Sequence, residues 1–509
     1  MQNTRLNRTP FTRRLRSIPL RGCALFLHQA IGAIAPAAEP ARVRVLILTG
    51  ESDLPSHDWR TTTPFLRSLL DSAGRFDVKV AEEVRGLDAR SFAPYDVLVL
   101  NYNGPRWAET TEKAVEEFVR GGKGLVALHG VSYGSFWGME QLKGRWTFPE
   151  GKPGGWSAFP DLLGSSWKPE NVGHGARHAF SVKWIDRTHP ISRDLPETFT
   201  VSDELYHRMD LKPSARVLAS AYDDSKSGGT GKDEPILWTV DFGKGRVVHS
   251  PLGHDTSAMY ADGFQTAFVR SCEWAATGTV TLPAKPHPAP AVKPVRALVV
   301  TGGHTYPVSF YTLFEAQQDL VWSHATSQAE AFTAKMKDQF DVVVLYDMYE
   351  QIGASEQANL REFVESGKGV VSIHHSIIDY TSWPWWCEEV IGGKYFTQAS
   401  GSHEPSEYKE GVDFVVRPAR GLGGHVVTRG IGPLIVHDET YRRMWHSDKI
   451  TVLMETDEPL NDRPVVYIGP HPKARAIYIQ LGHGDLTIRH PGYRKLVRNS
   501  ILWSAGRMD

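Results

Sequence analysis

The sequence predicts an α/β protein of two tandem, related open parallel-sheet domains, and three observations predict it. Short apolar runs rich in β-branched residues alternate with amphipathic stretches, the alternation occurs twice with its features in the same order, and a proline-rich stretch separates the copies. The 509 residues, 41% of them apolar, can fill about two or three cores.

The first strand, VRVLILTG (Val43 to Gly50), is answered by VRALVVTGG (Val295 to Gly303). Both are too short for helices and apolar almost throughout, as suits a strand buried on both faces. Each leads to an amphipathic stretch, Thr61 to Gly74 in the first copy and Phe310 onwards in the second. YDVLVLNY (Tyr95 to Tyr102) is answered by FDVVVLYD (Phe340 to Asp347). TEKAVEEFVRGGKGLVALHG (Thr111 to Gly130) lines up with SEQANLREFVESGKGVVSIHHS (Ser355 to Ser376). Each reads as a helix with an inward apolar face, a glycine stop, and a buried strand ending in His129 or His374. After a variable insert, THPISRDL (Thr188 to Leu195) answers HVVTRGI (His425 to Ile431), and DELYH (Asp203 to His207) answers DETY (Asp438 to Tyr441). GRVVHSPLGHD (Gly245 to Asp255) then answers ARAIYIQLGHGD (Ala474 to Asp485), and each copy closes on a helix carrying Trp274 or Trp503.

These matches divide the chain into a leader (1–41), a first domain (42–282), a stiff proline-rich linker (283–294) and a second domain (295–509). Alternating strands and helices imply parallel sheets with right-handed crossovers. Ligands of such folds bind outside the carboxyl ends of the strands, where the unusual polar residues fall.

The leader has six arginines, including the Arg13-Arg14 pair, before a mostly apolar run from Gly22 to Ala38. That order is the pattern of an export signal, with twin-arginine export open, so a periplasmic or secreted protein is expected. A cytoplasmic protein with a disordered leader is the alternative. No later run reaches the roughly 20 apolar residues of a membrane span. Lys and Arg total 57 against 58 Asp and Glu, which gives no basic field for nucleic acid. Cys23, Cys272 and Cys387 show neither a disulfide framework nor CxxC spacing.

His129 and His374 end equivalent strands, with His375 beside the second, which favours a cleft position over packing. DELYH supplies Glu204, Tyr206 and His207; its counterpart supplies Glu439, Tyr441 and, further on, His446. A carboxylate beside an imidazole makes an acid–base pair or a solvated salt-bridge cluster. The LGH tripeptides place His254 and His483 beyond another apolar strand, where they can converge with His129 and His374. The first loops differ: one has Glu51, His57 and Trp59, the other His304. Aromatic residues such as Trp137 gather near the inserts and suit either sugar faces or a core. There is no HExxH or other compact ligand spacing, so the imidazoles read first as metal-free; zinc, manganese or iron remains the alternative. No GxGxxG or GxxxxGK[ST] loop supports NAD or a nucleotide.

LILTG, GGKGLVALHG, THPI, DELYH and PILWTVDFGKGRVVHSPLGHD together resemble the ThuA-like trehalose-utilisation family, and the second copy resembles a more divergent member. The resemblance implies a flavodoxin-like fold similar to class I glutamine amidotransferases. Those enzymes carry a cysteine nucleophile where this chain has His129 and His374, so their activity does not transfer. It also implies a small carbohydrate ligand, with a 3-keto-glycoside or related disaccharide as the substrate class. In that chemistry His129 or His254 would remove the C2 proton and Glu204 or His207 would protonate the leaving oxygen. Glu51, His57, Trp59, Tyr206 and Trp137 would bind the sugar. A non-catalytic carbohydrate-binding or scaffold protein is the alternative. The first copy is favoured as the ligand site, with the second, through His304, His374, His375, Glu439, Tyr441, His446 and His483, as a second cleft or an intramolecular partner.

Overall fold

In the computed structural model the described residues are 41–509, apart from 53–56, 143–144, 150–153, 169–170, 285–292, 316, 318 and 423. The expected leader and the middle of the expected linker lie outside them. The first sheet comprises β1 (Val43–Leu48), β2 (Phe76–Ala81), β3 (Val97–Leu100), β4 (Gly124–Leu128), β5 (His178–Trp184), β6 (Thr198–Asp203), β7 (Arg216–Tyr222), β8 (Asp233–Phe242) and β9 (Gly245–Ser250). The second comprises β10 (Val295–Gly302), β11 (Leu320–Ala325), β12 (Val342–Asp347), β13 (Gly369–Ile373), β14 (Glu407–Pro418), β15 (Leu434–Arg442), β16 (Thr451–Glu455), β17 (Pro464–Ile468) and β18 (Ala476–Ile479).

The spatial orders are β2-β1-β3-β4-β9-β8-β7-β5-β6 and β11-β10-β12-β13-β18-β17-β16-β14-β15. They match position for position, so one folding unit is used twice. The expectation of wholly parallel sheets needs correction. Only the β2-β1-β3-β4-β9 half and its counterpart are parallel; the other half is antiparallel. The reason is local in the first copy, where Gly243 (φ 65°) and Lys244 alone join β8 to β9. A two-residue link can return a strand only antiparallel to the one before it.

The continuous apolar runs are buried on both faces. On β1, Val45 and Ile47 join the core under the helices at 59–72 and 262–277, while Leu46 and Leu48 join the core under the helix at 109–120. The aromatic inserts mostly thicken these cores: Phe136, Trp156 and Trp386 are each at most 3% exposed.

A partly exposed ion triad repeats as well. Asp96 pairs with Arg44 at 2.8 Å and Lys123 at 2.9 Å; Asp341 pairs with Arg296 at 2.9 Å and Lys368 at 3.2 Å. Burial pushes the Asp341 carboxyl up, but the hydrogen bonds from Arg296 more than reverse it and hold it at about 2. A carboxylate depressed on folding contributes stability above its unfolded value of about 4, and that contribution is lost as pH falls through about 2. Asp341→Asn is therefore expected to cost about 1–2 kcal/mol at pH 7. The difference from wild type should shrink steadily between pH 4 and pH 2, as read by urea unfolding at each pH.

Candidate functional site

β4 ends at Leu128, and the next residue, His129, turns into the left-handed region at φ 25°; His374, following β13, does the same at φ 54°. Such backbone costs on the order of 1–3 kcal/mol for a residue other than glycine and persists only where the surroundings impose it. Here they impose it at the equivalent residue of both copies. His129 Nδ1 is 2.6 Å from the Pro251 carbonyl, which can only accept, so Nδ1 carries the proton and Nε2 presents its lone pair. His374 Nδ1 meets the Gln480 carbonyl at 2.7 Å with the same result.

Around His129 Nε2 stand His254 Nδ1 at 3.2 Å, the Tyr206 hydroxyl at 3.3 Å and Glu204 Oε2 at 3.5 Å. Glu204 Oε2 is also 3.2 Å from His254 Nδ1. His57, from the loop after β1, brings its ring within 4.9 Å of both other histidine rings and meets the Tyr133 hydroxyl at 3.1 Å through Nδ1. Around His374 Nε2 stand His483 Nδ1 at 3.1 Å, Glu439 Oε2 at 3.1 Å and the Tyr441 hydroxyl at 3.2 Å.

The loops carrying these groups are tied to each other by a buried aspartate. Asp203 accepts from the backbone N–H of Gly253 at 2.7 Å and of His254 at 3.3 Å; Asp438 accepts from Gly482 at 2.8 Å and His483 at 3.0 Å. Gly253 (φ 108°) and Gly482 (φ 126°) supply the backbone shape that aims those N–H groups.

Burial and mutual charge divide the groups. Burial lowers His129 to about 4, leaving it neutral. Burial also opposes charge on His254, but the Glu204 carboxylate beside it more than compensates and carries it to about 9. Glu204 is itself raised by burial and held well below the usual carboxylate range by His254 and His129. Asp203 is pushed up to about 6 by burial, against the pull of Arg177.

In each cluster one donor atom per residue can be chosen so that all lie within 4.8 Å of one another: His57, His129, Glu204 and His254 in the first copy, and His374, Glu439 and His483 in the second. Imidazole nitrogens with one carboxylate suit zinc, manganese or iron. The donor sets therefore resemble two potential divalent-cation sites, in line with the zinc, manganese or iron alternative to metal-free imidazoles.

Several expected site residues fall elsewhere. His207 is turned from the cluster and hydrogen-bonded through Nδ1 to Asp223 at 2.7 Å. Trp137 lies in the core, its indole N–H donating to the Val131 carbonyl at 3.0 Å. His375 meets the Tyr346 carbonyl at 3.2 Å, His304 stacks on it at 4.5 Å, and His446 sits 3.7 Å from Asp462. Trp59 lines a small cavity with His57 and His254. Glu51 pairs with Arg85 at 2.7 Å and lines a neighbouring cleft of about 410 Å³ with Asn103, Arg106, Ser135 and Trp146. Sequence reasoning missed His174, which is 3.7 Å from Glu204 and stacks on Tyr206 at 5.5 Å. It sits in the variable insert, where no second copy singles it out.

The duplicated mixed sheet with a histidine–glutamate cluster at the same rim of each copy defines the class: a tandem α/β protein with paired sites. The chain belongs to the ThuA family, described as trehalose utilisation, whose model matches residues 44–275 and 296–504. It is similar to a ThuA-like protein of Parabacteroides merdae, at 30% identity over 48% of this chain and 93% of that one, with a TM-score of 0.38. Two cytoplasmic proteins of Salmonella typhimurium align at 12% and 11% identity, each over 46% of this chain and over 100% and 99% of their own, with TM-scores of 0.33 and 0.32. No curated protein matches the chain. The two Salmonella proteins are cytoplasmic, against the expected periplasmic or secreted location; the leader that carried that expectation lies outside the described residues, and the location is not taken further. Among the described residues no helix is long and apolar enough to cross a membrane. Family and clusters together support a carbohydrate-directed protein with acid–base potential, and they support binding further than turnover.

Proposed function

We propose that the protein binds a small carbohydrate at the domain-one cluster, where His57, His129, Glu204 and His254 hold a divalent cation. The observation that carries the reading is the convergence of three imidazoles and one carboxylate, with the His129 tautomer fixed so that Nε2 faces the group. A bound cation supplies Lewis-acid polarisation of a sugar oxygen. The chain supplies the rest: the Tyr206 hydroxyl borders the cluster, and the cleft beside it offers Asn103, Arg106 and Trp146 to hydroxyl groups and a ring face. Domain two's His374, Glu439 and His483 form a second, smaller site of the same kind. The glutamine-amidotransferase-like description of the fold belongs to this proposal too.

A second reading, turnover of a 3-keto-glycoside, is favoured by one observation: His129 Nε2 lies 3.2 Å from His254 Nδ1, where burial lowers the first imidazole and the Glu204 carboxylate raises the second. In it, His129 takes the C2 proton, the C1–O bond breaks as a C1–C2 double bond forms, and the leaving oxygen takes its proton from His254.

Calorimetric titration with trehalose and with its 3-keto derivative, on metal-loaded and chelator-treated protein, tests both. Binding that chelation weakens at least about tenfold supports the first reading. Consumption of the 3-keto sugar by chelated protein supports the second, and neither sugar binding in either state rejects both.

A further inference from the structure

Domain two lays its edge strand β11 against the part of domain one that carries the first cluster. The backbone N–H of Trp322 on that edge donates to Thr256 Oγ1 at 3.1 Å. Trp322 and His324 close a small cavity whose other walls include Asp58, Thr61, His254 and Asp255. Two of these walls adjoin cluster residues in the chain, for Asp58 follows His57 and Asp255 follows His254. Each aspartate shapes its loop. Asp58 caps the helix at 59–72, accepting from the Arg60 N–H at 3.0 Å and the Thr61 hydroxyl at 2.8 Å. Asp255 accepts from the Ala258 N–H at 2.8 Å and from Arg177 at 2.9 Å. The loops that carry His57 and His254 are therefore both backed by domain two.

The second copy serves as an internal control. Its corresponding turn, Asp485–Arg489, leaves Leu486 67% exposed. Its first-loop histidine, His304, stacks on His375 and lies edge-on to His483 at 6.2 Å, outside the set of converging donor atoms. The backed copy assembles three histidines and a glutamate, whereas the other assembles two and a glutamate.

We propose that domain two is a built-in buttress of the domain-one site, with Trp322 and His324 as positioning residues that keep the His57 and His254 loops within reach of His129 and Glu204. The affinity readout below rests on the metal reading of that cluster; the exchange readout does not. In full-length protein carrying His374→Ala, so that domain two's own cluster is disabled, Mn(II) is titrated calorimetrically into Trp322→Ala, His324→Gln and Thr256→Val. Hydrogen exchange of segments 57–63 and 252–260 is followed without metal. Weakening of Mn(II) binding by about tenfold or more, with faster exchange in both segments, is the expected result. Should Trp322→Ala lose its cooperative unfolding, Thr256→Val and His324→Gln decide the matter. Folded variants with unchanged affinity and unchanged exchange would overturn the proposal. If the parent takes up no Mn(II), the metal reading fails, and the exchange comparison alone decides whether domain two buttresses the loops.

Discussion

Glu204→Gln is expected to abolish divalent-metal binding at the first cluster, so that a chain proposed to take up two cations takes up one. Glu204 is the only carboxylate among the four converging residues, and its Oε2 lies 3.5 Å from His129 Nε2 and 3.2 Å from His254 Nδ1. An amide keeps the shape and removes the negative charge that a cation needs, and His254, charged in the free cluster, would give up its proton on binding one. Loss of a direct ligand should exceed the 10–100-fold effects of outer-shell changes, so affinity should fall by more than about 100-fold, or about 3 kcal/mol. The opposing account, a self-contained ion-pair network, predicts something else. It expects lower stability, because His254 loses the carboxylate that pairs with it and keeps it charged against burial, and no metal stoichiometry to lose. Metal analysis after dialysis, together with thermal unfolding, separates the two.

Asp203→Ala is expected to give the largest stability loss of the variants considered. The carboxylate is fully buried and accepts backbone N–H bonds from Glu204 at 2.8 Å, Gly253 at 2.7 Å and His254 at 3.3 Å. Alanine leaves these donors buried without an acceptor and leaves Arg177 facing a weaker negative field. The expected cost is about 3 kcal/mol or more, concentrated in the unfolding transition of domain one. Asp203→Asn keeps an acceptor and should lose less. Asp438→Ala should reproduce the effect in domain two, where Gly482 and His483 depend on the same geometry. Scanning calorimetry of the three variants checks this, with domain two's transition unmoved in the first two.

The duplication was legible because strands buried on both faces, such as Val97–Leu100 and Val342–Leu345, must be apolar at every position, and that pattern survives divergence. The antiparallel half was not, since the strand-to-strand turn at Gly243 and Lys244 reads equally well as a loop before a crossover. The pairing of His129 with His254 needed one fact that sequence withholds, namely that β4 and β9 are neighbours although 122 residues separate their paired positions, as in Arg246 and Gly124. Adjacent residues on a strand point to opposite faces. That is why Tyr206 reaches His129 while His207, next in the chain, turns to Asp223, and proximity in DELYH could not tell them apart. The two first loops were distinguishable by composition, but that His57 enters its cluster and His304 does not became visible only in the fold.

The duplicated unit brings a potential cation-binding set of side chains to the same rim of each sheet. Crystals of the full chain soaked in Mn(II) and measured for anomalous scattering test it most directly. The account predicts a peak bounded by His57, His129, Glu204 and His254, and a weaker one bounded by His374, Glu439 and His483. A map with full soaking elsewhere and no peak at the first cluster would contradict it.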